Sequence, residues 1–162
     1  MNWILLILTL PTENATARMR AWRTLKNSGA AVLRDGVYLM PEEGSGKALL
    51  SDIAEDIEKN GGTTYLLSTH ADREAFAGMF DRSTEFAELA DAISKSRAGL
   101  TDDTAADTLK QSRKLRRSFE QLCAIDFFSG EAQRQTSSAL LDLESAAIRT
   151  LSPDEPHAML GD

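Results

Sequence analysis

The run Trp3-Ile4-Leu5-Leu6-Ile7-Leu8-Thr9-Leu10, closed by Pro11, constrains the fold more than any other stretch of this chain. A strand with one face in water alternates apolar and polar residues, and this run does not. It is far shorter than the ~20 residues a membrane-spanning helix needs. No Lys or Arg precedes it and no small-x-small cleavage pattern follows it, so it does not read as a secretory signal. What remains is a central strand buried on both faces and ended by a proline that cannot donate to a ladder. No other segment reads as a membrane span, so the protein is expected to be soluble and cytoplasmic, with no membrane partner.

Thr12 or Asn14 is placed to cap a helix that runs to about Ser28 and stops at Gly29. Its apolar stripe is expected at Ala15, Met19, Trp22 and Leu25, with Arg20, Arg23 and Asn27 opposite. Arg18 falls inside the apolar stripe, one turn from Trp22, and is the basic residue there most in need of a specific partner. Asp35-Gly36, between apolar stretches, signals a tight turn or glycine bulge, so 31–41 reads as two short strands or one bulged strand. Ser45 then caps a second helix with a stripe of Leu49, Leu50, Ile53 and Ile57, stopped by Gly61-Gly62. Thr63 to Ser68 is a strand. The order β-α-β-β-α-β over 1–70 is the ferredoxin-like pattern: a four-stranded antiparallel sheet with both helices on one face. The other face is left for another element or a partner.

Strand signals end near Asp72, and no proline occurs from 71 to 151. Helices are expected at about 71–78, 83–97, 103–125 and 130–150, with Thr101 and Ser129 capping the last two. A polar tail at 152–162 holds Pro153 and Pro156. The fold class is α+β, a ferredoxin-like domain at 1–70 followed by an all-helical region at 71–151.

The formal net charge of -7, from 25 acidic and 18 basic residues, argues weakly against nucleic acid as a partner. The charge is unevenly spread. Residues 1–38 hold five basic and two acidic residues, 39–109 six and fifteen, and 110–162 seven and eight. Lys110, Arg113, Lys114, Arg116 and Arg117 stand in a run with no acid between them. At about 3.6 residues per turn, Lys110, Arg113, Lys114 and Arg117 share one stripe, opposite Leu115, Phe119 and Leu122, with Arg116 to one side. A stripe of this kind suits phosphate contacts, and equally a solvated face answering nearby acids.

Other candidates are weaker. Gly44-Ser45-Gly46-Lys47 lacks the leading glycine and the trailing Ser or Thr of a phosphate loop, since Pro41 and Ala48 stand there, so it reads as a helix start. The single cysteine, Cys123, rules out an intrachain disulfide and reads as a buried, inert thiol. His70 with Asp72 reads as a surface turn, and His157 is the only other histidine. Glu55-Asp56 and Asp102-Asp103 read as solvated or helix-start charges. No metal site, cofactor or catalytic constellation is expected, and the chain is not expected to be an enzyme.

Asn2 through Pro11, Arg18-Met19-Arg20-Ala21-Trp22-Arg23, Gly29 through Pro41, and Ala124-Ile125-Asp126-Phe127-Phe128-Ser129-Gly130-Glu131-Ala132-Gln133-Arg134-Gln135 resemble the N-terminal region of the ChrB family of chromate-resistance regulators. The resemblance spans most of 1–151. A looser likeness joins the strand-helix-strand part to the ferredoxin-like domain of PaaX-type repressors and of CRISPR-associated adaptation nucleases. Those nucleases carry an acidic residue at the end of the first strand, where this chain has Thr9-Leu10-Pro11. The ChrB resemblance implies a chromate-responsive, DNA-binding transcriptional regulator acting on the promoter of chromate-resistance genes. Longer members carry a second, C-terminal half, which this chain is expected to lack. Lys110, Arg113, Lys114, Arg116 and Arg117 would then contact DNA, and Arg18, Arg20, Arg23 and Arg34 would bind DNA or an oxyanion such as chromate. The alternative is a dimerisation or protein-interaction module with no DNA contact of its own. An enzyme acting on chromate or nucleic acid is the third reading.

Overall fold

The computed structural model describes residues 1–153, and most of the expected polar tail, with Pro156 and His157, lies outside the described residues. The chain divides into two compact units, Met1–Phe80 and Asp81 onward. The first holds β1 (Asn2–Thr9), α1 (Ala15–Asn27), β2 (Ala31–Arg34), β3 (Val37–Pro41), α2 (Gly46–Lys59), β4 (Thr63–His70), the short α3 (Arg73–Phe76) and a 3-10 turn at Ala77–Phe80. The second holds α4 (Ser83–Ala98), α5 (Ala105–Ala124) and α6 (Glu131–Leu151).

The strand order is β2-β3-β1-β4 with every neighbouring pair antiparallel, the ferredoxin-like arrangement expected from the sequence. β1 is central, which is why it is apolar on both faces. Ile4 and Leu6 share one face with Met40 and Thr64. That face lies under α2: the Thr64 hydroxyl donates to Glu58 at 2.7 Å, and Leu50, Ile53 and Ile57 are buried. Trp3 and Leu5 share the other face with Leu39, Tyr65 and Leu67. Here Trp3 is fully buried, edge-on to Phe76 at 5.3 Å and stacked on Phe80 at 5.8 Å. The segment after β4 therefore belongs with the sheet and covers part of its second face. Tyr65 and Leu67, farther along that face, remain 60% and 48% exposed.

Gly36 turns the chain between β2 and β3. Its φ of +76° suits glycine, and an added Cβ would come within 2.7 Å of the Leu8 carbonyl oxygen.

Several local expectations are corrected. In α1 the buried residues are Ala17, Ala21 and Leu25, while Met19 and Trp22 are exposed. Two alanines let the helix sit close to its neighbours, so the small residues face inward and the large ones do not. Asn14, of the two candidates, caps α1, accepting from the Ala17 N–H at 3.3 Å. Ser45 occupies the cap position of α2 without a capping side-chain bond. Thr104, not Thr101, stands at the cap position of α5, the two threonines bonding each other's backbone N–H at 2.8 and 3.2 Å. Gly130, not Ser129, precedes α6. The helix expected at 71–78 is a four-residue turn of α-helix followed by 3-10 structure.

In the second unit α4, α5 and α6 pack on one another around Phe86, Ile93, Leu115, Phe119, Leu140 and Leu143. Ser112 and Thr136 are buried in these helices with their hydroxyls turned back onto the carbonyls of Leu109 and Ala132. Their polarity is thereby satisfied without a partner outside their own helix.

Candidate nucleic-acid interface

α5 is strongly two-sided. Thr108, Ser112, Leu115 and Phe119 are buried, and Lys110, Arg113, Lys114 and Arg117 are exposed on the opposite stripe. Among the described residues none of these four cations forms an ion pair or side-chain hydrogen bond. Four like charges one turn apart repel one another weakly in water, and a phosphate backbone would relieve that repulsion.

Arg116 is different. Its Nε donates to Glu144 of α6 at 3.2 Å, its Nη2 meets the second oxygen of the same carboxylate, and its guanidinium lies 5.5 Å from the Phe119 ring centre. Both partners are largely covered, at 26% and 20% exposure. The Glu144 hydrogen bond holds the guanidinium pKa above its ordinary value. Arg116 fastens α5 to α6, while its four neighbours face water.

The other expected basic group lies on the first unit. α1 contains no acid. Arg20 makes a two-pronged bond to Asp56 of α2, at 2.9 and 3.1 Å. Arg18 finds the partner its position called for: its Nη2 donates to the Leu10 carbonyl at 3.2 Å. Arg23 and Arg34 are exposed and form no ion pair among the described residues. A shallow groove between Ala15, Met19, Arg20 and Arg23 runs along the helix. Beside it the Lys26 ammonium sits 5.4 Å over the exposed Trp22 ring. This mixed basic and aromatic surface escaped the periodicity argument, which placed Met19 and Trp22 inside. The spacing of Ala17, Ala21 and Leu25 was the signal that would have found it. The two basic groups thus belong to different units.

Among the described residues no group of three or more His, Cys, Asp or Glu side chains is arranged to hold a metal ion. Cys123 is half-buried and its sulfur accepts from Gln133 Nε2 at 3.1 Å. Burial, and then the charge of Asp126, push its thiol pKa up, which disfavours the thiolate that nucleophilic chemistry needs. Burial also raises the Asp126 carboxyl, against the pull of Arg82 and with help from Asp81 and Glu85. His70 bonds through Nδ1 to Asn2 at 3.0 Å. Gly44 to Lys47 open α2, with Gly46 so close to Pro41 that a Cβ would meet its carbonyl oxygen at 2.6 Å. No described helix is long and apolar enough to cross a membrane.

Three comparisons bear on this arrangement. Protein ChrB of Cupriavidus metallidurans is 39% identical over 163 residues, matching 98% of this chain and 50% of its own length. The chain therefore spans about half the length of that curated relative. An uncharacterized protein from Mycobacterium tuberculosis has a solved structure that superposes with a TM-score of 0.53, over 92% of this chain and 61% of that one. At 16% identity that is a likeness of fold alone. The family described as Protein ChrB, N-terminal, matches residues 18–149, which takes in both basic groups, α4, α5 and all but the last two residues of α6. By that match, the chain belongs to the ChrB N-terminal family.

Proposed function

We propose that this chain is the DNA-contacting module of a chromate-responsive transcriptional regulator. The observation that carries the reading is the α5 stripe: Lys110, Arg113, Lys114 and Arg117 are all exposed, all on one side of a rigid helix, and none is neutralised by an acid among the described residues. A stripe that only answered nearby acidic helices would be paired, as Arg116, Arg97 and Arg20 are. In a complex, the four cations displace counterions from the phosphate backbone, and α5 lies along it. Arg23 and Arg34, with Arg18, supply a second contact or take up an oxyanion, since the guanidinium fork matches adjacent oxygens. The chain works by binding rather than by chemistry on its ligand, and it acts inside the cell, where its DNA is.

The test is a gel-shift assay on DNA upstream of chromate-efflux genes, with and without chromate, comparing the protein with Arg113→Glu/Lys114→Glu. Weakened binding by the charge-reversed protein is expected. Equal binding at matched low salt removes α5 from the interface.

A further inference from the structure

We propose that β4 is a dimerisation edge, which pairs antiparallel with β4 of a second copy and joins two sheets into one. The proposal rests on the hydrogen-bond pattern of the sheet and not on the DNA-contact reading.

The ladder decides which β4 groups are free. The Ala71 N–H donates to the Met1 carbonyl at 3.1 Å, and in register with it Trp3 faces Thr69, Leu5 faces Leu67 and Ile7 faces Tyr65. In an antiparallel pair, hydrogen-bonded and non-hydrogen-bonded positions alternate. Thr63, Tyr65, Leu67 and Thr69 therefore turn their backbone toward β1. The bonds from Leu8 N–H to Gly36 and from Glu42 N–H to Asn2 confirm the alternation, because they assign the even positions of β1 to β3. Thr64, Leu66, Ser68 and His70 are left with N–H and C=O pointing outward, and no backbone bond reaches them there among the described residues.

The two edges of the sheet differ in how they meet this exposure. β2 is four residues long, has a register shift between Val32 and Arg34, and ends on a charge. Short length, irregularity and charge all discourage pairing. β4 is eight residues long, pairs with β1 without a register shift, and carries no charge, proline or glycine from Thr63 to Thr69. Tyr65 and Leu67 beside it are exposed large apolar residues.

A second copy fits this edge, because the outward groups at Thr64, Leu66, Ser68 and His70 are spaced evenly about Leu67 and complement themselves across a two-fold axis. A two-fold axis through Leu67 sets Thr64 opposite His70 and Leu66 opposite Ser68, which uses every outward group on both strands. Leu67 then meets Leu67 and Tyr65 meets Thr69, on the face where both apolar side chains are exposed. Two carboxylates reach this edge on the α2 side, Glu42, which accepts from the Ser68 hydroxyl at 2.8 Å, and Glu58. Glu58, held by the Thr64 hydroxyl at 2.7 Å, comes beside His70 of the second copy.

Sedimentation of the full chain tests the state, and cysteine cross-linking tests the register. The protein is expected to sediment as a dimer at micromolar concentration. Ser68→Pro removes an outward N–H but no bond to β1, so it should keep the circular dichroism spectrum and raise the dissociation constant by at least about tenfold. In a Cys123→Ser background, Leu67→Cys should oxidise to a covalent dimer, and Tyr65→Cys should not. Arg113→Glu/Lys114→Glu should leave the dimer intact, which separates this proposal from the DNA reading. A monomer at micromolar concentration overturns the proposal. So does a dimer that cross-links through Tyr65→Cys but not through Leu67→Cys.

Discussion

Replacing Arg113 and Lys114 by alanine removes half of the exposed α5 stripe without touching the helical core, since both side chains lie opposite Leu115 and Phe119. The stripe extends from Lys110 to Arg117, about 10.5 Å at 1.5 Å per residue. Phosphates recur about every 3.4 Å of axis along one DNA strand, so the helix reaches roughly three or four of them. Each neutralised phosphate contributes about -0.9 to the slope of log affinity against log salt, so four contacts give about -3.6. The intact stripe then loses about 150-fold in affinity between 50 and 200 mM salt, and the double-alanine protein about 12-fold. Contacts elsewhere add equally to both proteins, so the quantity that matters is the difference in slope, about 1.8. Fluorescence anisotropy on a labelled duplex across a salt series measures it. Equal slopes refute the reasoning, whatever the absolute affinities, because they mean that neither cation meets a phosphate.

Arg116→Ala should leave that salt slope unchanged but lower stability by about 1 kcal/mol in denaturant unfolding, because it breaks a largely covered pair with Glu144. Leu140→Ala, at a position with no solvent exposure in the helical core, should cost about 2–5 kcal/mol in the same measurement. Gly36→Ala should also destabilise, by about 1–3 kcal/mol, since its Cβ has no room beside the Leu8 carbonyl. Asp126→Asn should raise the melting temperature at pH 7. The folded carboxyl sits above its ordinary pKa, so the folded state holds the proton more tightly than the unfolded state. Stability from this group is therefore lost as pH rises through the folded pKa. The gain from the substitution should vanish once pH falls below the ordinary carboxylate range.

What could be read in the residues was what depends on local pattern. β1 was legible because a run apolar at every position from Trp3 to Leu8 has one stable home in a small α+β domain, the centre of a sheet. The exposed stripe of α5 was legible because 3.6-residue spacing separates Lys110, Arg113, Lys114 and Arg117 from Leu115 and Phe119 with little ambiguity. The inward face of α1 was misread, because hydrophobicity favoured Met19 and Trp22 while close packing favoured Ala17 and Ala21.

The sequence by itself determined the order of elements and the side of α5 that faces water, since each follows from periodicity and breakers within a few residues. Only the tertiary structure decided which cations stay available. Arg116 is taken by Glu144, 28 positions away, and Arg20 by Asp56, 36 positions away. It also decided which sheet edge is open and that Phe76 and Phe80 cover Trp3. A charge's partner and a backbone group's partner are set by distances between segments remote in the chain, and those distances exist only once the chain has folded.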